Sequence, residues 1–189
     1  MEIEHVLNNL GSDKKINLED IPDIDLYMDQ VIQLFKNAYK DTRRNEKDKL
    51  LTKTMINNYA KGKLFFPIKN KKYTKEHVML VSLIYQLKGT LSINEIKESL
   101  NGINEKVMTD ELNLADFYQS TLDLMDQNVL AFTEEAKEIA IAAESKPSAK
   151  DDNYLEEILI LVSLAHKSNL YRRAAERLAD KIAVKKFSK

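Results

Sequence analysis

From Met28 onward, apolar residues recur at three- and four-residue spacing: Met28, Val31, Ile32, Phe35, Ala38 and Tyr39. That spacing places them on one face of a helix, predicted over residues 23–39 after Ile21-Pro22. Residues 1–20 hold no such period and carry turn formers (Asn8, Asn9, Gly11, Ser12, Asp13), which predicts a flexible arm at 1–19. Residues 40–50 are charged throughout and read as a solvated connector.

A second helix is expected from the cap Thr52 to about Lys61, with Leu51 and Ile56 as a hydrophobic staple and Gly62 as the stop. Residues 63–72 (KLFFPIKNKK) set a proline and an Asn-Lys-Lys tip between apolar stretches, the signature of a short hairpin. Thr74 caps a third helix, 75–88, whose apolar residues cover so much of its circumference that it belongs at the centre of the core. Ser92-Ile93-Asn94-Glu95 is a capping box that opens a fourth helix, ending at about Leu100 before Gly102. Leu114, Phe117, Tyr118, Thr121 and Met125 share a face of the next helix. Thr133 is read as the cap of a helix over 134–144, and Lys146-Pro147-Ser148 as a break. Asp151 or Asp152 then starts an apolar helix, 154–166, and Ser168-Asn169 marks a bend before a basic one, 171–187. The pattern predicts an all-α protein with one small hairpin.

Composition removes whole classes of function. Four scattered glycines (Gly11, Gly62, Gly89, Gly102) make neither a phosphate loop nor a dinucleotide fingerprint. Without cysteine there is no disulfide, no cysteine zinc site and no thiol nucleophile. Residues 1–10 lack the apolar run of a signal peptide, and no apolar run exceeds five residues, as at Ile158 to Val162. A soluble cytoplasmic protein with no membrane contact is expected. His5, His77 and His166 stand in no metal-ligand spacing, and the acid pairs Asp110-Glu111, Glu134-Glu135 and Glu156-Glu157 open helices, where they complement the dipole. No metal, no cofactor and no catalytic set is predicted, and an enzyme is not supported.

The net charge of −1 conceals a segregation. Counted over 1–35, 36–76, 77–150 and 151–189, the net charges are −6, +9, −6 and +2. So concentrated a positive block is the footprint of a polyanion site, and its alternative is a lysine-rich solvated surface. With Thr52 at zero and about 100° per residue, Met55, Ile56, Tyr59 and Ala60 form a buried face, while Lys53, Thr54, Asn57, Asn58 and Lys61 point the other way. That outer face has no carboxylate. It offers amides for adenine edges, a hydroxyl, and lysines for phosphates or guanines, the inventory of a helix that reads the major groove.

The run from Thr52 to Pro67 resembles, without gaps, the recognition helix and following turn of MerR-type winged helix-turn-helix regulators, which read roughly S-V-R-T-L-R-Y-Y-E-x-x-G-L-L-x-P. Tyr73 resembles the tyrosine that closes that family's wing, and Ser92 to Glu98 its F-S-L-x-E-I-K stretch. More narrowly, Ile21-Pro22, Leu51 to Ala60, Lys72 to His77 and Ile84 to Lys88 resemble an uncharacterised bacterial family, domain of unknown function 1836, described as MerR-like. This chain has Asn57-Asn58 where the regulators have Arg-Tyr, and lysines where their wing has arginines. The resemblance implies a MerR-like DNA-binding domain over 20–102, a helical dimerisation or effector domain over 105–187, and transcriptional regulation through double-stranded DNA. Lys53, Thr54, Asn57 and Asn58 would then face bases, and Tyr59, Lys61, Lys63, Lys69, Lys71, Lys72 and Tyr73 would hold the backbone or close the wing. The stripe from Leu114 to Met125 is either a homodimer seam or intramolecular core, and the apolar C-terminal helices leave room for an unknown effector. The other function the sequence allows is a helical adaptor whose basic block meets an acidic protein partner.

Overall fold

The computed structural model describes residues 2–149 and 152–186. Asp151, one of the two expected helix starts, and Phe187, the expected end of the last helix, lie outside them. Among the described residues seven α-helices follow in the order α1 (Glu2–Asn8), α2 (Met28–Tyr39), α3 (Lys53–Lys61), α4 (Lys75–Leu87), α5 (Ile93–Met108), α6 (Leu114–Glu144) and α7 (Asn153–Lys186). Strands β1 (Leu26–Tyr27) and β2 (Lys72–Tyr73) pair antiparallel, Leu26 opposite Tyr73 and Tyr27 opposite Lys72. The all-α architecture with a minimal sheet is therefore what the hydrophobic pattern predicts.

Helix α2 begins with its apolar period at Met28, five residues after the predicted start at residue 23, because Leu26 and Tyr27 are drawn into the sheet. For the same reason the expected hairpin within 63–72 is reduced to a tight turn at its tip. Lys69 and Lys72 form one antiparallel bridge, and the strand that follows pairs with β1, which precedes α2 in the chain.

Helix α4 is central: every residue from His77 to Ile84 is buried. Phe35, Tyr39 and Tyr85 interlock beside it, ring centroids 4.7–6.0 Å apart, and fix α2 against it. This core continues through Ile96 and Leu100 of α5 to Leu114, Tyr118 and Leu122 of α6. Residues 102–105 lie inside α5, where Gly102 is an exposed helical residue and not a stop. The helix instead ends in a left-handed residue, Asp110 (φ 57°), with the Glu111 N–H bonded to the Lys106 carbonyl (2.8 Å).

Polar dips in the C-terminal half do not break helices. α6 is one 31-residue helix, in which the Thr133 hydroxyl bonds back to the Val129 carbonyl (2.8 Å) and caps nothing. α7 runs 34 residues straight through Ser168-Asn169. Of the stripe Leu114, Phe117, Tyr118, Thr121 and Met125, Leu114 and Tyr118 are buried in the core, Thr121 and Met125 are half-buried and Phe117 is exposed.

The segment expected to be a flexible arm is tied down. Ile16 is fully buried, and its carbonyl accepts a 2.7 Å hydrogen bond from the Tyr118 hydroxyl, which lies 2.9 Å from Ser82 Oγ. Lys15 pairs with Asp126, and Ile3 of α1 packs on Ala136 and Ala140 in a second, smaller cluster. Among the described residues no helix is long and apolar enough to cross a membrane.

Candidate nucleic-acid interface

Helix α3 forms where its local chemistry requires. Thr52 is extended and its hydroxyl accepts from the Met55 N–H (3.2 Å), satisfying one of the open donors of the first turn. Ile56 and Tyr59 are buried. Lys53, Thr54, Asn57, Asn58 and Lys61 are all exposed, so the side predicted to face solvent does so. The end of α3 is unusual. The Leu64 N–H reaches back to the Tyr59 carbonyl (3.0 Å), but the left-handed residue of the motif is Lys63 (φ 56°), not Gly62. Lys63 is exposed.

Two buried polar side chains hold the segment that follows. Asn104 of α5 accepts from the Phe66 N–H (2.9 Å) and donates to the Leu64 carbonyl (3.0 Å). His77 of α4 accepts at Nδ1 from the Thr74 N–H (3.1 Å), which leaves Nε2 as the donor to the Phe66 carbonyl (3.1 Å). Burial lowers its pKa, so the neutral ring is the one the site holds. Neither role was legible from sequence, which shows His77 only as a residue in the first turn of a helix.

The tip expected of the hairpin is the turn Lys69–Lys72, closed by the Lys72 N–H on the Lys69 carbonyl (2.9 Å). Asn70 and Lys71 both have positive φ, 52° and 58°, as a primed hairpin turn requires. Lys69 and Lys71 are exposed. Lys72 is half-buried, its ammonium 5.5 Å from the centre of the exposed Tyr27 ring.

Three sequence expectations need correction. Tyr59 is 3% exposed and Tyr73 1%, so both are core side chains and neither is offered to a phosphate. The Tyr73 hydroxyl is buried and has no hydrogen-bond partner among the described residues. The acid-free face of α3 also has an acidic neighbour: Asp29, in the first turn of α2, pairs with Lys53 at 2.8 Å. Asp29 lies 24 residues away in sequence, and nothing in the local pattern of α3 reveals it.

A cleft of about 810 Å3 opens beside this turn, between Pro67, Lys69 and Lys72 on one side and Met108, Asn113 and Ala115 on the other. Another of about 600 Å3, lined by Val6, Leu10, Phe132 and Leu164 among others, lies between α1, α6 and α7.

Fold and site together define a helical protein that carries an exposed amide- and lysine-bearing helix followed by a lysine-tipped turn. The chain belongs to the family described as domain of unknown function (DUF1836), whose model matches residues 16–121. No curated protein and no solved structure matches it. The family span runs from buried Ile16 through the first turns of α6, and so includes the tether as well as α3 and the lysine-tipped turn.

Proposed function

We propose that the protein is a sequence-specific, double-stranded DNA-binding regulator of MerR-like type, a binding protein and not an enzyme, working in the cytoplasm. The observation that carries this reading is the outer face of α3. Five residues, Lys53, Thr54, Asn57, Asn58 and Lys61, are exposed together on a helix with no acid of its own. Amides can bond adenine edges bidentately, and lysines take guanines or phosphates. Lys63 extends the face, and Lys69, Lys71 and Lys72 on the wing would hold the flanking backbone. Either cleft could house an effector.

Fluorescence anisotropy with a labelled duplex selected from genomic fragments tests this. Asn57→Ala/Asn58→Ala should lose about 1–3 kcal/mol per cognate base while affinity for random duplex stays within a few fold. Lys71→Ala should weaken all duplexes alike and flatten the log–log salt slope by about 1. Unchanged affinity for the selected duplex in the double asparagine variant refutes α3 as the reading helix. The Asp29–Lys53 pair favours the other function, a helical adaptor, since it shows a carboxylate satisfying this face. No retention of random duplex at low salt would decide for the adaptor.

A further inference from the structure

The cleft of about 810 Å3 between the Lys69–Lys72 turn and the junction of α5 and α6 falls within the size range of ligand sites, about 300–1,000 Å3. Its inner wall is apolar: Met79 and Leu114 are buried there, and Phe66, Val107 and Leu112 are half-buried. At the mouth Pro67 and Met108 are exposed, Met108 by 65%. The neutral polar side chains of the lining are already engaged with the protein. The Thr74 hydroxyl donates to Glu76 (2.6 Å), both His77 ring nitrogens are bonded to backbone groups, and Asn113 caps α6 by accepting from the Ala115 N–H (3.1 Å). Recognition of a ligand therefore falls to the charged groups. Lys75 is paired with Asp23 (2.6 Å), whereas Lys69 and Lys72 have no carboxylate partner among the described residues, Lys72 lying 5.5 Å from the Tyr27 ring. These two lysines are partners in an antiparallel bridge, so their side chains leave the same face and can converge on one anion. Asp25 and Asp110 also line the cleft, but they come from separate segments, one before β1 and one after α5.

We propose that this cleft binds a small amphipathic monocarboxylate, its hydrocarbon body between Phe66, Met79 and Met108 and its carboxylate on Lys69 and Lys72. Covering the exposed Met108 and Pro67 supplies the hydrophobic drive, and two ammonium groups on one oxyanion fix the orientation. Asp25 and Asp110 repel any second negative charge, which turns away phosphates, nucleotides and dicarboxylates. An occupied cleft withdraws Lys69 and Lys72 from nucleic acid, so ligand and DNA compete. That competition rests on the DNA-binding reading; the ligand site does not.

NMR of the full chain, isotope-labelled at its methionine methyl groups and titrated with decanoate to about 1 mM, tests it. Met79 and Met108 line the cleft, while Met55 and Met125 stand outside it. The first two methyl signals should shift to saturation and the last two should stay in place. Lys69→Ala/Lys72→Ala should weaken binding at least about tenfold, and so should Met108→Glu, which sets a like charge at the mouth on a side chain too exposed to matter to the fold. Decanedioate and decyltrimethylammonium should each bind at least about tenfold more weakly than decanoate. Saturating decanoate should weaken random-duplex binding about three- to tenfold in the anisotropy titration. Unmoved Met79 and Met108 signals, equal binding of decyltrimethylammonium, or a lysine double variant that binds decanoate as the wild type does would each overturn the ligand site. Duplex affinity indifferent to bound decanoate would overturn the competition. Failure of DNA binding itself would show in the duplex titration without decanoate, so the two readings fail separately.

Discussion

Asp29 sets how freely Lys53 can meet an anion. The pair is exposed on both sides, so it contributes about 0–1 kcal/mol to the fold, yet any phosphate or base must displace it. Asp29→Asn should therefore leave the melting temperature within about 2 °C and tighten binding to random duplex by about two- to fivefold at low salt, as anisotropy titration would report. His77 is a second single-residue control. Its folded pKa lies below the ordinary value because the buried ring disfavours the imidazolium, with Glu76 and Asp25 opposing that only in part. The unfolded chain takes up the proton near pH 6.5, while the folded chain resists it. Stability is thus fully present above about pH 6.5 and is lost as pH falls toward the folded pKa, by at most about 1.4 kcal/mol per pH unit. Urea unfolding at pH 7 and pH 5 should show this fall in the wild type and a smaller one in His77→Gln. An equal fall in both would remove His77 as the cause.

Among the helices, α3 is the one whose limits and faces follow most directly from its own residues. The Thr52 cap, the Ile56–Tyr59 stripe and the polar outer face are all relations within one or two turns. Helix ends that depend on a single glycine are another matter. Gly102 sits in the middle of α5 because Ile96, Leu100 and Ile103 keep the apolar stripe running through it, and burial of that stripe outweighs a glycine's weak preference. A Cβ there would meet nothing within 4 Å. Gly102→Ala should consequently raise stability by about 0.5–1 kcal/mol, seen as a higher melting temperature. Thr133 and Ser168-Asn169 teach the same lesson. Polar residues on the solvent side of a long helix look like caps and bends in sequence, whereas α6 and α7 continue through them.

At the scale of the whole molecule, the buried hydroxyl of Tyr118 joins three separated parts of the chain: Ile16 before α2, Ser82 in α4 and its own helix α6. Burial raises its pKa, so it remains a donor across the physiological range. Tyr118→Phe leaves the Ile16 carbonyl without this partner and should cost about 1–3 kcal/mol in urea unfolding. Faster amide exchange in residues 10–20 should accompany it, because the tether is what orders that segment.

The sequence was sufficient for those features whose causes are local: the helical class, the cap and faces of α3, and the central place of α4. It also localised the basic block, since charge is counted along the chain. It was insufficient wherever the deciding partner is distant. β2 finds its mate in β1 across two helices, Asp29 reaches Lys53, Asn104 and His77 hold the 64–66 backbone, and Tyr118 buries a segment that carries turn signals. The reason is physical. A cap or an amphipathic stripe gains its free energy within a few residues, whereas these pairings depend on which surfaces the packed helices bring together.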